Sequence, residues 1–320
     1  VDISMQRQSV VKFVEITSEH SAQRIDNYLF TLLKGVPKSR IYRIIRKGEI
    51  RINGSRIKPD YKLNEGDKIR IPPVRIAERE AFSLPSKKLQ FSLEKNILYE
   101  DNALLVLNKP SGLAVHGGSG IKLGLIEALR LIRPKTDYFE LVHRIDRETS
   151  GCLIVAKKRS SLRYLQEQMR NKRISKVYLA LATGKWPRGI RRIDFPLMAY
   201  EQKTGEKIVR VNSKGKKSVT IFSVMKRYRN FTLLEASLET GRTHQIRVHA
   251  QHIGCPLAGD SKYGHDDINK DIRKSGLKRM FLHAFKIEFS LPCGKKIFIE
   301  APMPGDLSEY LIELDYRDES

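Results

Sequence analysis

Apolar residues in this chain recur first at helical spacing and then, abruptly, at every second position. In "SAQRIDNYLFTLLKG", Ile25, Leu29 and Leu32 or Leu33 fall on one helical face and Gly35 supplies a stop. "PKSRIYRIIRKG" repeats the pattern: Ile41, Ile44 and Ile45 share a face, Lys38, Arg40, Arg43, Arg46 and Lys47 take the other, and Pro37 suits a first helical turn. "EIRINGSRIK" then predicts a hairpin about Asn53 and Gly54, and "YKLNEGDKIRIPP" a further turn at Gly66 and Asp67. Two helices and a hairpin-rich piece predict a small module over residues 20–75, preceded by an N-terminal extension over residues 1–19.

Residues 76–92 mix charge, Ser and Pro without clear periodicity, which predicts a linker between two parts free to move. Beyond it, short β-rich runs such as "ALLVLNKP", "GCLIVAKK", "KVYLALATG", "SVTIFSVMKRY", "FTLLEASLE" and "KIEFSL" alternate with helical segments, without an internal repeat. Turns separate many of these runs where a doubly wound fold would place crossover helices. The expectation over residues 93–320 is therefore an α+β domain with a mixed, largely antiparallel sheet. Within it "THQIRVHAQHIG" reads as a short helix entered at Thr243 and ended by Gly254.

Charge narrows the function. Lys and Arg number 60 against 36 Asp and Glu, a formal charge of +24, which points to a polyanionic partner. The excess is densest between Lys34 and Arg75, with thirteen basic and four acidic residues. No apolar run approaches the ~20 residues of a membrane span, and Val1 to Glu19 lacks a signal-peptide core. Cys152, Cys255 and Cys293 form no CxxC pair. A soluble cytoplasmic protein is expected, acting as a monomer.

Several chemistries are set aside. His244, His249 and His252 are spaced by five and three residues, which does not place all three on one helical face, so no metal is expected. The glycines of "HGGSGIKLG" match neither phosphate-loop pattern, and no G-x-S-x-G elbow surrounds Ser150.

The stretch "LVHRIDRETSGCLIVAKK" holds Asp146 between two arginines, just before an apolar strand, where a rigid scaffold can aim a loop residue. An aspartate in such a turn commonly bonds nearby backbone amides, and by itself the stretch leaves that reading open.

"RIDNYL", "KSRIYRIIRKGEIRING" and "LNEGDKI" resemble the αL (S4-type) RNA-binding domain of a small-subunit ribosomal protein and several RNA-modifying enzymes. That resemblance assigns RNA contacts to Arg24, Lys38, Ser39, Arg40, Arg43 and Lys47. "LVHRIDRETSG" is similar to the catalytic motif of the pseudouridine synthases of the large-subunit ribosomal RNA type, H-R-L-D-x-x-T-S-G, with Ile145 for Leu. "LLVLNKPSGLAVHGG", "ISKVYLALATG", "TGRTHQIRVHAQHIGCPLAGDSKYG" and "RMFLHAFKIEF" follow as further family blocks in order.

The resemblance implies isomerisation of uridine in 23S ribosomal RNA without a cofactor, with Asp146 as the essential carboxylate. A desolvated carboxylate stays ionised only beside a cation; the family block offers Arg247 as the better match for it and Arg242 as the second, nearer the RNA. Tyr178 would lie against the target base and Leu282 near it, although strand packing also explains either residue. Arg144 matches the arginine that fills the gap left by an extruded uridine. The alternative is a catalytically silent RNA-binding factor in ribosome assembly, which would keep the basic module without needing Asp146 or Arg247.

Overall fold

The computed structural model describes residues 10–33, 35–74, 84–118, 123–136, 138–202 and 206–319, and the chain divides into two compact units, residues 1–83 and 84–320. Among the described residues no helix is long and apolar enough to cross a membrane.

The first unit runs β1 (Lys12–Glu15), α1 (Ile25–Leu32), α2 (Lys38–Arg46), β2 (Arg51–Ile52), β3 (Ser55–Arg56) and β4 (Lys68–Ile71). Its sheet has the order β1-β4-β2-β3. Ile41, Ile44 and Ile45 of α2 are buried against Ile25 and Leu29 of α1, each such side chain contributing roughly 1.5–3 kcal/mol. Pro37 stands one place before α2, as its N-cap. Asn53 and Gly54 have φ of 50° and 80°, the left-handed pair that a two-residue hairpin turn requires. The Asn53 side chain also accepts from the Lys68 amide and donates to buried Asp67, tying the hairpin to β4. The supposed N-terminal extension is partly structural: Lys12 to Glu15 pair antiparallel with Ile71 to Lys68, because a short sheet edge recruits any compatible strand.

Of the expected linker, residues 76–83 lie outside the described residues, and its last part is not a linker. Helix α3 (Lys87–Lys95) starts there, with the Ser86 hydroxyl accepting from the Leu89 amide at 3.3 Å. Leu93 is the helix's one fully buried residue, so its apolar stripe is too thin to show as a period.

The second unit continues with β5 (Ile97–Glu100), β6 (Leu104–Lys109), α4 (Leu125–Ile132), β7 (Glu140–Leu141), β8 (Ser150–Ala156), α5 (Arg159–Arg170) and β9 (Ser175–Thr183). Next come β10 (Arg192–Asp194), β11 (Leu197–Glu201), β12 (Lys207–Val211), β13 (Val219–Arg227), β14 (Phe231–Leu238) and α6 (Gln245–His252). The chain ends in α7 (Asp266–Lys274), β15 (Leu282–Ser290), β16 (Lys296–Glu300) and α8 (Gly305–Glu319).

One ten-stranded sheet spans this unit in the order β10-β13-β14-β9-β15-β8-β6-β5, with β16 beside β15 and β7 beside β8. Every pairing is antiparallel except β15 with β8, which is parallel over two residues, so the α+β, largely antiparallel expectation describes the sheet. That parallel step sets the end of β8, where the Asp146 loop enters, beside the start of β15 and next to β9. The approach is close: Gly151 has φ of 108°, and a Cβ there would lie 2.2 Å from the Ala284 carbonyl oxygen. The β11–β12 hairpin forms a separate two-stranded sheet, and Val209 of β12 packs with Val248 of α6 and Tyr263.

Candidate active site

Asp146 sits in the turn between β7 and β8, closed by the Thr149 amide on the Asp146 carbonyl at 3.2 Å. The segment after β6 braces this turn. The Gly112 amide donates to the Arg147 carbonyl and Arg147 Nε to the Gly112 carbonyl, both at 2.9 Å, while the Ser111 hydroxyl donates to the Glu148 carbonyl. Lys109, wholly buried, directs Nζ at the carbonyls of Pro110, Leu113 and Arg147 at 2.8, 2.9 and 3.0 Å. Burial, and then the charge of Arg279, bring its pKa down to about 7 although Asp146 pulls the other way.

The Asp146 carboxylate faces Arg247, whose Nη1 donates to Oδ2 at 3.0 Å across 101 residues of sequence. The bonds of a turn aspartate to its own backbone amides are not made: the other group at the carboxylate is His244, Nε2 3.8 Å from Oδ2. Arg247 is itself anchored from behind. Nε and Nη2 donate to the two oxygens of fully buried Asp260 at 2.7 and 2.8 Å, and the guanidinium lies 5.0 Å from the ring centre of Tyr263. Burial works against the guanidinium charge, but the hydrogen bonds and charge of Asp260, with Asp146 added, outweigh it and raise its pKa. Burial likewise pushes Asp260 up, and Arg247 together with the amides of Lys262 and Tyr263 carries it below the usual carboxylate range.

His244 is the N-cap of α6 and holds a left-handed backbone, φ 54°, which costs a branched-at-Cγ residue strain and is kept because its ring is fixed. Nδ1 lies 2.7 Å from the Tyr263 hydroxyl, and that oxygen accepts the Val209 amide at 2.9 Å. The phenol thus fixes the ring through Nδ1, with Nε2 turned to Asp146. Burial lowers the His244 pKa to about 4, so the ring is neutral at physiological pH. Gln245 tethers the preceding loop: its Nε2 donates to the Val219 carbonyl and Thr220 hydroxyl, and its Oε1 accepts from Thr240 and the Arg242 amide.

These groups open on a cleft of about 550 Å³. Tyr178 and Leu282, from β9 and β15, are buried and line its floor. Burial, then Asp146, raise the Tyr178 pKa, so its hydroxyl keeps its proton. Arg144 and Arg242 are exposed at the same cleft, the latter donating from Nε to the Lys217 carbonyl at 3.2 Å. In the first unit, Lys38, Ser39, Arg40, Arg43 and Lys47 are exposed along α2 and at its C-terminus. Arg24 is turned back on Asp26 at 2.7 Å, and Lys38 Nζ lies 5.1 Å from the centre of the Phe30 ring. The three histidines diverge: His249 takes Thr220 and the Phe195 carbonyl, and His252 packs its ring on Phe195.

Sequence reasoning did not reach Asp260, Tyr263, Lys109 or the ring of His244 as parts of this site. The sequence does hold a signal for the first two, in "AGDSKYG", an acidic residue amid small and apolar ones. Nothing local says that it meets an arginine thirteen positions earlier.

A long, largely antiparallel sheet thus carries a loop aspartate against a buried arginine at the cleft. Residues 103–252 match the RNA pseudouridylate synthase family and residues 23–69 the S4 domain. The ribosomal large subunit pseudouridine synthase C of Haemophilus influenzae is 56% identical over 311 residues, covering 97% of this chain and 93% of its own. The protein of that name in Escherichia coli (strain K12) is 53% identical over 308 residues, covering 95% and 97%. Among solved structures, human RNA pseudouridylate synthase domain containing 4 superposes with a TM-score of 0.59 at 25% identity, over 71% of this chain and 96% of that one. The chain belongs to the RNA pseudouridylate synthase family.

Proposed function

We propose that this protein isomerises specific uridines of 23S ribosomal RNA to pseudouridine, with Asp146 as the catalytic group and no cofactor. The observation that carries the reading is the Asp146–Arg247 contact at 3.0 Å, at a cleft walled by Tyr178 and Leu282. The curated relatives' name supplies the ribosomal large subunit as the source of the RNA.

The reaction breaks the bond from uracil N1 to ribose C1′ and makes one from C5 to C1′; C5 loses a proton and N1 gains one, so nothing is consumed. Attack of a carboxylate on the sugar and removal of a ribose proton by it both require an ionised, fixed oxygen next to the ribose. Arg247 sets a fixed positive charge against the Asp146 carboxylate and holds its Oδ2 in place. His244 adds a neutral imidazole on the same side. The ring of Tyr178 offers a stacking surface for uracil, and its protonated hydroxyl a donor.

A uridine in folded RNA must leave its stack to reach this floor. Arg144, two residues before Asp146 and exposed at the cleft mouth, is placed to enter the gap, with Arg242 beside the RNA. The first unit holds flanking RNA through Arg24, Lys38, Ser39, Arg40, Arg43 and Lys47. One chain supplies every group named in the cleft, which supports a monomer, working in the cytoplasm where ribosomes assemble.

The test is release of tritium from unmodified 23S transcript labelled at C5 of uracil. Wild type releases it and Asp146→Asn does not, with RNA affinity unchanged within about threefold. Tight binding without release by either protein overturns the reading in favour of a silent assembly factor.

A further inference from the structure

Beside the cleft, and continuous with it through Lys172, Lys176, Glu239 and Gly241, lies a second hollow of about 500 Å³. Lys176 lies on β9 two residues before Tyr178, so both point to one face of the strand, about 7 Å apart. Its ammonium stands over the backbone of Gly241, where an added Cβ would come within 3.2 Å of Nζ. It makes no hydrogen bond or ion pair with any described residue. Glu239 and Glu288 also line the hollow without reaching it, and Glu239 is held by Arg192.

An unpaired, half-buried ammonium costs stability unless an anion covers it. Burial lowers its pKa, and its charge in turn helps to keep His143 neutral. Lys172, exposed at the rim of both hollows with a left-handed backbone of φ 55°, adds a second cation whose ammonium has no partner among the described residues.

We propose that Lys176, with Lys172, forms a subsite for the single RNA phosphate adjoining the flipped uridine. This rests on the function proposed above and sharpens it. Of the two side chains flanking Tyr178 on that face, Lys176 and Ala180, Lys176 alone is cationic, so it is the group that can meet a phosphate adjoining a uracil stacked on Tyr178. The two glutamates confine the phosphate to the lysine side of the hollow.

The experiment uses the shortest 23S stem-loop that the wild-type protein converts, with each linkage around the target uridine replaced singly by an uncharged methylphosphonate. One adjoining linkage is expected to weaken wild-type binding about tenfold. Lys176→Met should lose the same factor on native RNA and nothing more on that modified RNA. Its salt dependence should fall by about 0.7 in log–log slope, as one single-strand phosphate contact requires. Its single-turnover rate at saturating RNA should stay within about threefold, and Lys176→Arg should retain most of the affinity. Equal sensitivity to every linkage, or a slowed saturated rate in Lys176→Met with RNA affinity intact, overturns the subsite. The linkage scan needs the wild-type protein alone, so an unfolded variant does not rescue the idea. Failure of the underlying reading is separate: wild type then releases no tritium from any RNA.

Discussion

Arg247 grips Asp260 with two hydrogen bonds, at 2.7 and 2.8 Å, and has one nitrogen left for Asp146, at 3.0 Å. Asp260 is fully buried, whereas Asp146 keeps 18% of its side chain in the cleft. The inner carboxylate anchors the guanidinium, and the outer one is the carboxylate open to the cleft.

Their substitutions should therefore separate. Asp260→Asn leaves a buried guanidinium short of a counter-charge and is expected to cost about 3–5 kcal/mol in urea unfolding, with activity falling as Arg247 loosens. Asp146→Asn should change stability by no more than about 1 kcal/mol while abolishing tritium release. Equal destabilisation by both would contradict the division.

Gly151 and Gly112 offer a matched pair. Both have positive φ, 108° and 84°, but a Cβ at Gly151 meets the Ala284 carbonyl at 2.2 Å and one at Gly112 meets nothing within 4 Å. Gly112→Ala should cost about 1–2 kcal/mol, the backbone penalty alone. Gly151→Ala should cost clearly more and displace the Asp146 loop, read as lost activity in whatever protein remains folded.

His244 makes stability depend on pH in a stated direction. Its pKa is about 4 when folded against 6.5 ordinarily, because burial opposes the charge. Between these values the unfolded chain binds a proton that the folded chain does not, so stability declines as pH falls from 6.5 towards 4. The loss is up to about 3 kcal/mol and ends below the folded pKa. Urea midpoints at pH 7 and pH 4.5 should draw apart less in His244→Asn than in wild type.

The exposed face of α2 predicts a loss confined to binding. Reversing Lys38, Arg40 and Arg43 to Glu leaves Ile41, Ile44 and Ile45 in their core, so stability should move by less than about 1 kcal/mol. RNA affinity should drop, and its log–log salt slope should shrink by roughly 2 to 3. An unchanged slope would show that α2 faces away from the RNA.

What the sequence made legible was local. The Asn53–Gly54 turn and the isoleucine face of α2 each depend on neighbours a few positions away, and the residue types declare them. The Asp146–Arg247 contact spans 101 residues, and it was anticipated through motif resemblance, since no period or propensity encodes it. Asp260 escaped because a carboxylate in a glycine turn looks alike whether it caps amides or holds an arginine. Residues 87–92 were misread as linker because a helix that buries one leucine leaves almost no hydrophobic period.

The spread of the site along the chain also orders its birth. The first unit closes its sheet when β4 reaches β1, by Ile71, and has its own apolar core. Asp146 cannot be held until Arg247 and Asp260 have been translated, nor its loop's strand flanked until β15 follows. Because domains fold as units and N-terminal ones first, a nascent copy of this protein completes its basic S4 unit long before its Asp146–Arg247 cleft. A ribosome making it thus displays a finished S4 unit ahead of an unfinished cleft for most of the elongation time.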